Sequence, residues 1–333
     1  MNSPEFELQQ SDHRLSYHPH NKNSGKPHGQ HKLFLSDLYA LVRVFTTFPY
    51  STIEEDKFEV VYAGAACGSH IRFLADMFPD VTWHLYDPSE FDQILNELPS
   101  VHIHNKMFND DEANKWKNIG DTVPDKHLIF LSDIRSGAFD DSRIWEDMLA
   151  QERWMSKMQP AYSLLKFRLP YPKPGQPARC KYSDGRLVKV PHAPTNSTEL
   201  RLEVWKEMIG QKKNYDITQI EEQMAYFNRR QRYMQNYGVQ FKYALWDAAM
   251  RVNRELHPKV ARTHYPSPYD INETGKLPPR EATISIHSLP LLRALNHDKN
   301  DKSGAGQAAT RSRTACAVGA SESDQKINPY YVV

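Results

Sequence analysis

Lys32, Asp133, Lys166 and Glu199 stand at or beside the ends of segments whose patterns predict regular structure. Two amines and two carboxylates, if brought together, suit the removal of a proton from a weakly acidic hydroxyl while its oxygen attacks an electrophilic carbon. Singly, each lysine reads as solvated surface. The set has meaning only if the fold gathers all four beside a cofactor.

The segments that must do this follow from periodicity. Leu35, Leu38, Val42 and Phe45 recur at helical steps, which predicts an amphipathic helix over residues 31–48 that carries Lys32 in its first turn and ends at Pro49. Residues 58–63 form a β-rich run, followed by Gly64-Ala65-Ala66-Cys67-Gly68 and a helical segment over 70–77. Further strands are predicted at 82–86, stopping at Asp87, at 101–104, and at 127–131, stopping at Asp133. Later strands fall at 163–169, 187–190 and 200–205, with helices near 217–234, 239–254 and 284–295. Strands alternating with helices imply a mostly parallel α/β sheet, doubly wound, whose ligand crevice lies at the strand C-termini.

A chain of 333 residues fits one core with appendages. The expected division is a flexible arm over 1–30, a single domain over 31–297 and a disordered tail over 298–333. Within the arm, residues 1–10 contain Glu5-Phe6-Glu7-Leu8, read as translated cloning polylinker and set apart from the fold. With 39% hydrophobic and 25% charged residues, and no apolar run near the roughly 20 residues that span a bilayer, a membrane role is excluded from the reading. Cys67, Cys180 and Cys316 form no Cys-x-x-Cys pair, and no apolar signal segment precedes Leu33. An intracellular, reducing compartment is expected, with cytoplasm and nucleus both open.

A net charge of +1 conceals a basic stretch over 161–190, where Lys166, Arg168, Lys173, Arg179, Lys181, Arg186 and Lys189 face Asp184 alone. Tyr162, Phe167, Tyr171 and Tyr182 interleave with these cations. A solvated face is the plain reading, but interleaved rings and cations point to RNA as partner. Gly64 and Gly68 allow close approach of a ligand to the backbone, and Asp87 suits an adenosine ribose. NAD and S-adenosylmethionine both remain open on these residues alone. The absence of G-x-G-x-x-G spacing and of a second nucleotide-binding half favours S-adenosylmethionine.

Five blocks carry a family resemblance: Gly29 to Leu33, Val60 to Leu74, Leu131 to Ser136, Leu165 to Pro172 and Thr198 to Leu202. Taken together, in order, they resemble the poxvirus cap-specific mRNA 2′-O-methyltransferases, which also serve as processivity subunit of the poly(A) polymerase. The resemblance runs from about Tyr17 to about His297. It implies the class I S-adenosylmethionine-dependent methyltransferase fold, with the catalytic tetrad on Lys32, Asp133, Lys166 and Glu199. Lys166 is then the candidate base, its pKa lowered by burial and by the positive charges of the sulfonium and Lys32. The same resemblance implies that Gln30, Gly64, Ala65, Gly68, His70, Arg72, Asp87, Phe108, Asp133 and Ile134 line the S-adenosylmethionine site. His70 and Phe108 also admit plain structural readings, as a polar residue at a helix start and as core. Cys67 replaces a proline of the family.

For a 7-methylguanosine cap, the resemblance implies stacking by Tyr171, an aromatic lid from Tyr17, an acidic contact from Glu221 and RNA contact from Arg168. Two positions depart from the pattern. Asn196 stands where a second ring is expected and Lys173 where an acid is expected, so the pocket would be weaker, rebuilt from a ring such as Tyr182, or directed to another nucleotide. Kinetoplastid enzymes that methylate riboses further into a hypermethylated cap carry similar tetrads, which leaves the modified ribose open. The expected activity is 2′-O-methylation of capped mRNA. Its rivals are an RNA-binding partner of a poly(A) polymerase catalytic subunit, gripping RNA through 161–189, Arg229, Arg230 and Arg232, and a methyltransferase for uncapped structured RNA.

Overall fold

The computed structural model describes residues 6–18, 29–48, 57–117, 119, 126–137, 140–171, 178–190, 193–194, 196–232, 245 and 248–249. Helix α1 (Gly29–Thr47) starts two residues earlier than the periodicity predicts, which brings Gln30 into its first turn. Every residue from Leu33 to Phe45 is buried, so α1 is enclosed rather than amphipathic, and its polar members Ser36, Asp37 and Arg43 all require internal partners.

Beyond α1 the chain alternates as β1 (Lys57–Ala63), α2 (Ile71–Met77), β2 (Val81–Tyr86), β3 (Val101–His104), α3 (Asp110–Lys115), β4 (Lys126–Ser132), α4 (Asp141–Met158) and β5 (Tyr162–Phe167). There follow β6 (Arg179–Ser183), β7 (Arg186–Lys189), β8 (Leu200–Trp205), β9 (Lys212–Asp216) and α5 (Ile217–Tyr226). Seven strands form one sheet in the order β3-β2-β1-β4-β5-β8-β7, and β6 with β9 makes a separate two-stranded ribbon. β1, β2, β3, β4 and β5 pair in parallel; β8 runs antiparallel to both β5 and β7. This is the mixed α/β, mostly parallel sheet the sequence predicts, and it is compatible with a Rossmann-like methyltransferase fold. Val60 and Val61 on adjacent β1 positions are both fully buried, as a central parallel strand covered on both faces requires.

Register decides which loops meet. Ala63 pairs with both Tyr86 and Ser132, so Gly64, Asp87 and Asp133 leave the sheet at one level. Ser132 pairs with Leu165, and Lys166 pairs with Arg201, which carries Lys166 and the residue before Leu200 to the same rim. β1 and β4 are neighbours from which the chain winds in opposite directions, the place where α/β sheets open a ligand crevice.

Several features depart from the sequence reading, α3 and β6 among them, since no element was predicted at either. No element was predicted over 141–158, yet α4 forms there, capped by the Asp140 side chain, with Ile144, Met148, Met155 and Met158 buried along one stripe. β9, Lys-Lys-Asn-Tyr-Asp, has weak strand propensity and exists because β6 pairs with it. Residues 6–10 are also not outside the fold. Phe6 is buried, Glu7 bridges Val188, and the Leu8 amide donates to the Leu187 carbonyl at 2.8 Å, covering the β7 edge. Of the helix predicted at 239–254, residues 245, 248 and 249 are described and helical; the segments 284–295 and 298–333 lie outside the described residues. No described helix is long and apolar enough to cross a membrane.

The distal part of the sheet is tied to α1 through Glu203, which is 1% exposed. It accepts hydrogen bonds from Tyr39 (2.7 Å), Arg43 Nε (3.2 Å) and Nη2 (3.1 Å), Trp205 (3.0 Å) and Tyr162 (3.4 Å). Removing one partner strands a buried charge, whereas removing both does not. Glu203→Leu should therefore destabilise the fold by about 3–5 kcal/mol in urea unfolding, with Arg43→Met/Glu203→Leu recovering most of the loss.

Candidate active site

Lys32, Asp133, Lys166 and Glu199 converge. Lys32 Nζ lies 2.7 Å from Glu199 Oε1, Lys166 Nζ lies 3.2 Å from Asp133 Oδ1, and Lys166 Nζ is 4.0 Å from Glu199 Oε2. α1 supplies Lys32, the exit of β4 supplies Asp133, β5 supplies Lys166 and the entry to β8 supplies Glu199. Gln151 of α4 fixes the Lys166 backbone from both sides, its amide donating to the Lys166 carbonyl (3.2 Å) and its oxygen accepting from the Lys166 N–H (3.1 Å).

A fifth group, not singled out from the sequence, completes the cluster. Arg201 is 2% exposed, places Nη1 2.6 Å from Asp133 Oδ1 and Nη2 3.6 Å from Glu199 Oε1, and lies directly across the strand pair from Lys166. Its signal was the polar alternation Leu200-Arg201-Leu202-Glu203-Val204 in a strand buried on both faces, where each charge needs an internal counter-charge.

The electrostatics follow from three cations sharing two carboxylates. Burial, assisted by Lys32 and Arg135, pushes the Lys166 amine down to about 8 against the opposing pull of Asp133 and Glu199. Burial would raise Asp133, but Arg201 foremost, with Lys166 and Lys32, holds it well below the ordinary carboxylate range. Glu199 is held down to about 2, against burial, by Lys32, Lys166 and Arg201. Lys166 is thus a buried amine that sheds its proton near neutrality while its neighbours stay ionised.

The cofactor side of the crevice fits an adenosine-bearing ligand. Gly64 and Gly68 have positive φ (80° and 69°), and a Cβ at Gly64 would stand 2.9 Å from the Ile134 nitrogen, so only glycine permits this approach. Asp87 is 5% exposed and accepts from the Ala66 N–H (3.2 Å) and Ser89 N–H (2.8 Å), which aims its carboxylate across the turn. Ala65 and Ile134 are buried beside it, and Arg72 is half-buried in the first turn of α2. Two expected contacts read differently. Phe108 is core, edge-on to Tyr86 and Trp154 at 5.0 Å each. His70 is fully buried with both ring nitrogens engaged, by Gln30 and Asp37, which leaves neither for a ligand.

Beside this cluster lie the residues expected to hold a base. The Tyr17 and Tyr171 rings stack with centroids 5.8 Å apart and 22° between planes, their hydroxyls 2.6 Å apart. The Arg168 guanidinium lies 4.4 Å from the Tyr171 ring centre and is held by Asp141 at 3.1 Å. Glu221, in the first turns of α5, is 9% exposed, its Oε1 has no hydrogen-bond partner among the described residues, and burial raises its pKa to about 7. Asn196 contributes its backbone carbonyl to the Tyr17 hydroxyl (3.1 Å), and Lys173 lies outside the described residues. Tyr182 is not a replacement ring: it is 1% exposed and donates to the Met148 carbonyl at 2.6 Å.

The basic stretch is not one surface. Lys166 enters the tetrad, Lys189 is buried against Asp12 (3.1 Å), and Arg186 pairs with Glu7. Arg179 and Lys181 stand on the ribbon, both exposed on strand β6. Arg229 donates to the Ser16 carbonyl at 3.3 Å, and Arg232 donates to the Ala193 carbonyl, so both tie chain segments together. A recess of about 900 Å³ at the other end of the sheet, lined by Arg43, Phe48, Lys126, His127 and Trp205, is also remote from the tetrad. Its Arg43 and Lys126 are neutralised by Glu203 and Glu59. The lowered Lys166 pKa is directly measurable: after reductive ¹³C-methylation, its resonance should titrate near pH 8. In Lys32→Met, which removes a like charge, the midpoint should move upward.

Comparison with known proteins identifies the family. A family profile described as poly A polymerase regulatory subunit matches residues 1–255. The chain is similar to the cap-specific mRNA (nucleoside-2′-O-)-methyltransferase of Myxoma virus (strain Lausanne), at 30% identity over 215 residues, 61% of each chain. It is likewise similar to that of Fowlpox virus (strain NVSL), at 34% over 183 residues, 52% of this chain and 56% of the relative. The chain thus spans about three-fifths of the length of the curated relatives it matches. With 255 of its 333 residues matched, the chain belongs to the poly A polymerase regulatory subunit family.

Proposed function

We propose that this chain methylates a 2′-hydroxyl of a cap-proximal ribose in capped mRNA, with S-adenosylmethionine as methyl donor. The observation that carries the reading is a buried lysine, Lys166, with its pKa brought to about 8 within 4.0 Å of two carboxylates, at the rim of the crevice that holds the glycine turn. The names of the relatives support the substrate and donor classes. When bound, S-adenosylmethionine supplies an electrophilic methyl group. Gly64, Gly68 and Asp87 would hold it, the glycines by close backbone approach and Asp87 at the ribose. We take residues 31–297 as the catalytic unit.

The chain's own groups divide the work. Neutral Lys166 accepts the hydroxyl proton or directs the oxygen lone pair, and Asp133 with Glu199 holds both lysines in position. Arg201 keeps the carboxylates ionised. Arg135, half-buried, lies in the fields of Glu199, Asp147, Asp133 and Arg168, and would serve as a phosphate contact. Tyr17 and Tyr171 would part to receive the cationic base, and Glu221 would accept from its edge. A second reading, RNA-binding partner of a poly(A) polymerase, is favoured by the family description.

One assay separates the readings: labelled methyl transfer to capped and uncapped short RNA, with nuclease digestion to locate the label. Label should appear on a 2′-oxygen of capped RNA only, and Lys166→Ala should lower the rate by about 10²-fold or more. The rate should climb with pH and reach half its plateau near pH 8, as Lys166 loses its proton. No transfer by wild type would favour the binding subunit, and equal transfer to uncapped RNA a different substrate.

A further inference from the structure

The segment that brings Tyr17 to Tyr171 is anchored by a buried charge that the proposed chemistry leaves unused. Lys189, at the end of β7, is 1% exposed, and its ammonium lies 5.8 Å from the Phe227 ring centre and 3.1 Å from Asp12 Oδ2. The chain closes a turn around that carboxylate: the Gln9 N–H donates to Asp12 Oδ2 (3.1 Å), and the Asp12 N–H donates to the Gln9 carbonyl (3.0 Å). The Gln223 side-chain amide of α5 donates to the same carbonyl at 2.7 Å. With Phe6 buried and Leu8 on the β7 edge, residues 6–12 are bound firmly to the sheet.

Beyond Asp12 the attachment loosens. His13, Arg14 and Ser16 are exposed, and His13 meets the Tyr226 ring at 5.1 Å between centroids. The Leu15 amide, the Ser16 carbonyl and the Tyr17 hydroxyl each contribute a hydrogen bond, to Glu222, Arg229 and Asn196. Bonds near the surface exchange with water at little net cost, whereas drawing Asp12 away would strip a buried ammonium of this counter-charge. Tyr17 can therefore leave Tyr171 while Asp12 stays. The five residues from Asp12 to Tyr17 make a tether of at most roughly 17 Å when extended. A ring held on so short a tether keeps a high effective concentration at its partner.

We propose that Lys189 and Asp12 are positioning residues that hold the Tyr17 ring within reach of Tyr171, and so set how strongly a methylated cap base is retained. The inference rests on the cap-binding reading given above. Both residues act through Tyr17 and lie outside the tetrad, so they govern capture of the capped RNA and not the methyl transfer that follows.

The test is calorimetric binding, by the full chain, of a short RNA with a 7-methylguanosine cap and of the same RNA with an unmethylated guanosine cap, together with the transfer rate at saturating capped RNA. Wild type should prefer the methylated cap by about tenfold. Asp12→Asn should lose most of that preference by weakening the methylated cap alone, with the saturated rate unchanged. In a Tyr17→Ala background the same substitution should add nothing, because the two changes remove one effect. Asp12→Ala/Lys189→Met strands no charge, so it should unfold near the wild-type temperature and still bind the methylated cap weakly, which separates positioning from folding. Additive losses with Tyr17→Ala, equal weakening of both RNAs, or a double variant that recovers cap preference along with stability would overturn the inference and leave the cap reading standing. A wild type that binds the two caps alike would overturn both.

Discussion

The structure around the tetrad depends on one unfavourable juxtaposition: Lys166 and Arg201 face each other across the β5–β8 pair, two buried cations at a position where like charges repel. The pairing is sustained because Asp133 and Glu199 reach between them from the ends of β4 and the β8 entry. Lys32 then makes a third cation for two carboxylates. With one positive charge in excess, a proton is lost most readily from the deepest amine. Geometry and charge count therefore single out the same residue, Lys166.

Much of this was legible because strand ends are legible. Runs such as Phe58 to Ala63 stop at a glycine, and the runs reaching Asp87 and Asp133 stop at acids, so the rim of a parallel sheet can be read before its order is known. Arg201 was hidden by its alternation with leucines, which in an exposed strand means solvent. β8 lies between β5 and β7, and its polar positions are compensated by Asp133 on one side and Arg43 on the other. Helix α4 was hidden by composition, since its apolar stripe is narrow and methionine-rich amid many charges. The linear run of cations over 161–190 misled for a related reason: strands send neighbouring residues to opposite faces, so charge close in sequence is dispersed in space.

The two halves of the site differ in what holds them. The tetrad is fixed by sheet register and by Gln151 beneath Lys166, and such constraints allow little drift. The tyrosine pair is held by a strand-free segment, through the Leu15 amide on the Glu222 carbonyl (3.0 Å), Arg229 on Ser16 and the Tyr17 hydroxyl on Asn196. Asn196, one of the departures from the family pattern, falls on this second half. A side chain carried by a loop can be exchanged without disturbing the sheet, so the identity of the bound base is the property freest to change.

Burial also weighs the two readings of the family against each other. A protein that only gripped RNA would keep its cations at the surface, where phosphates can reach them and desolvation costs little. Arg201 at 2% and Lys166 at 8% exposure are poorly placed for that, and a network of this kind adds little to folding beyond what apolar side chains of similar volume would supply. What such a network does provide is an amine whose proton is loosely held in a crevice of fixed shape. That property has no use in binding a polyanion and direct use in moving a proton from a hydroxyl, which is why the proposed methyl transfer accounts for the cluster better than RNA binding alone.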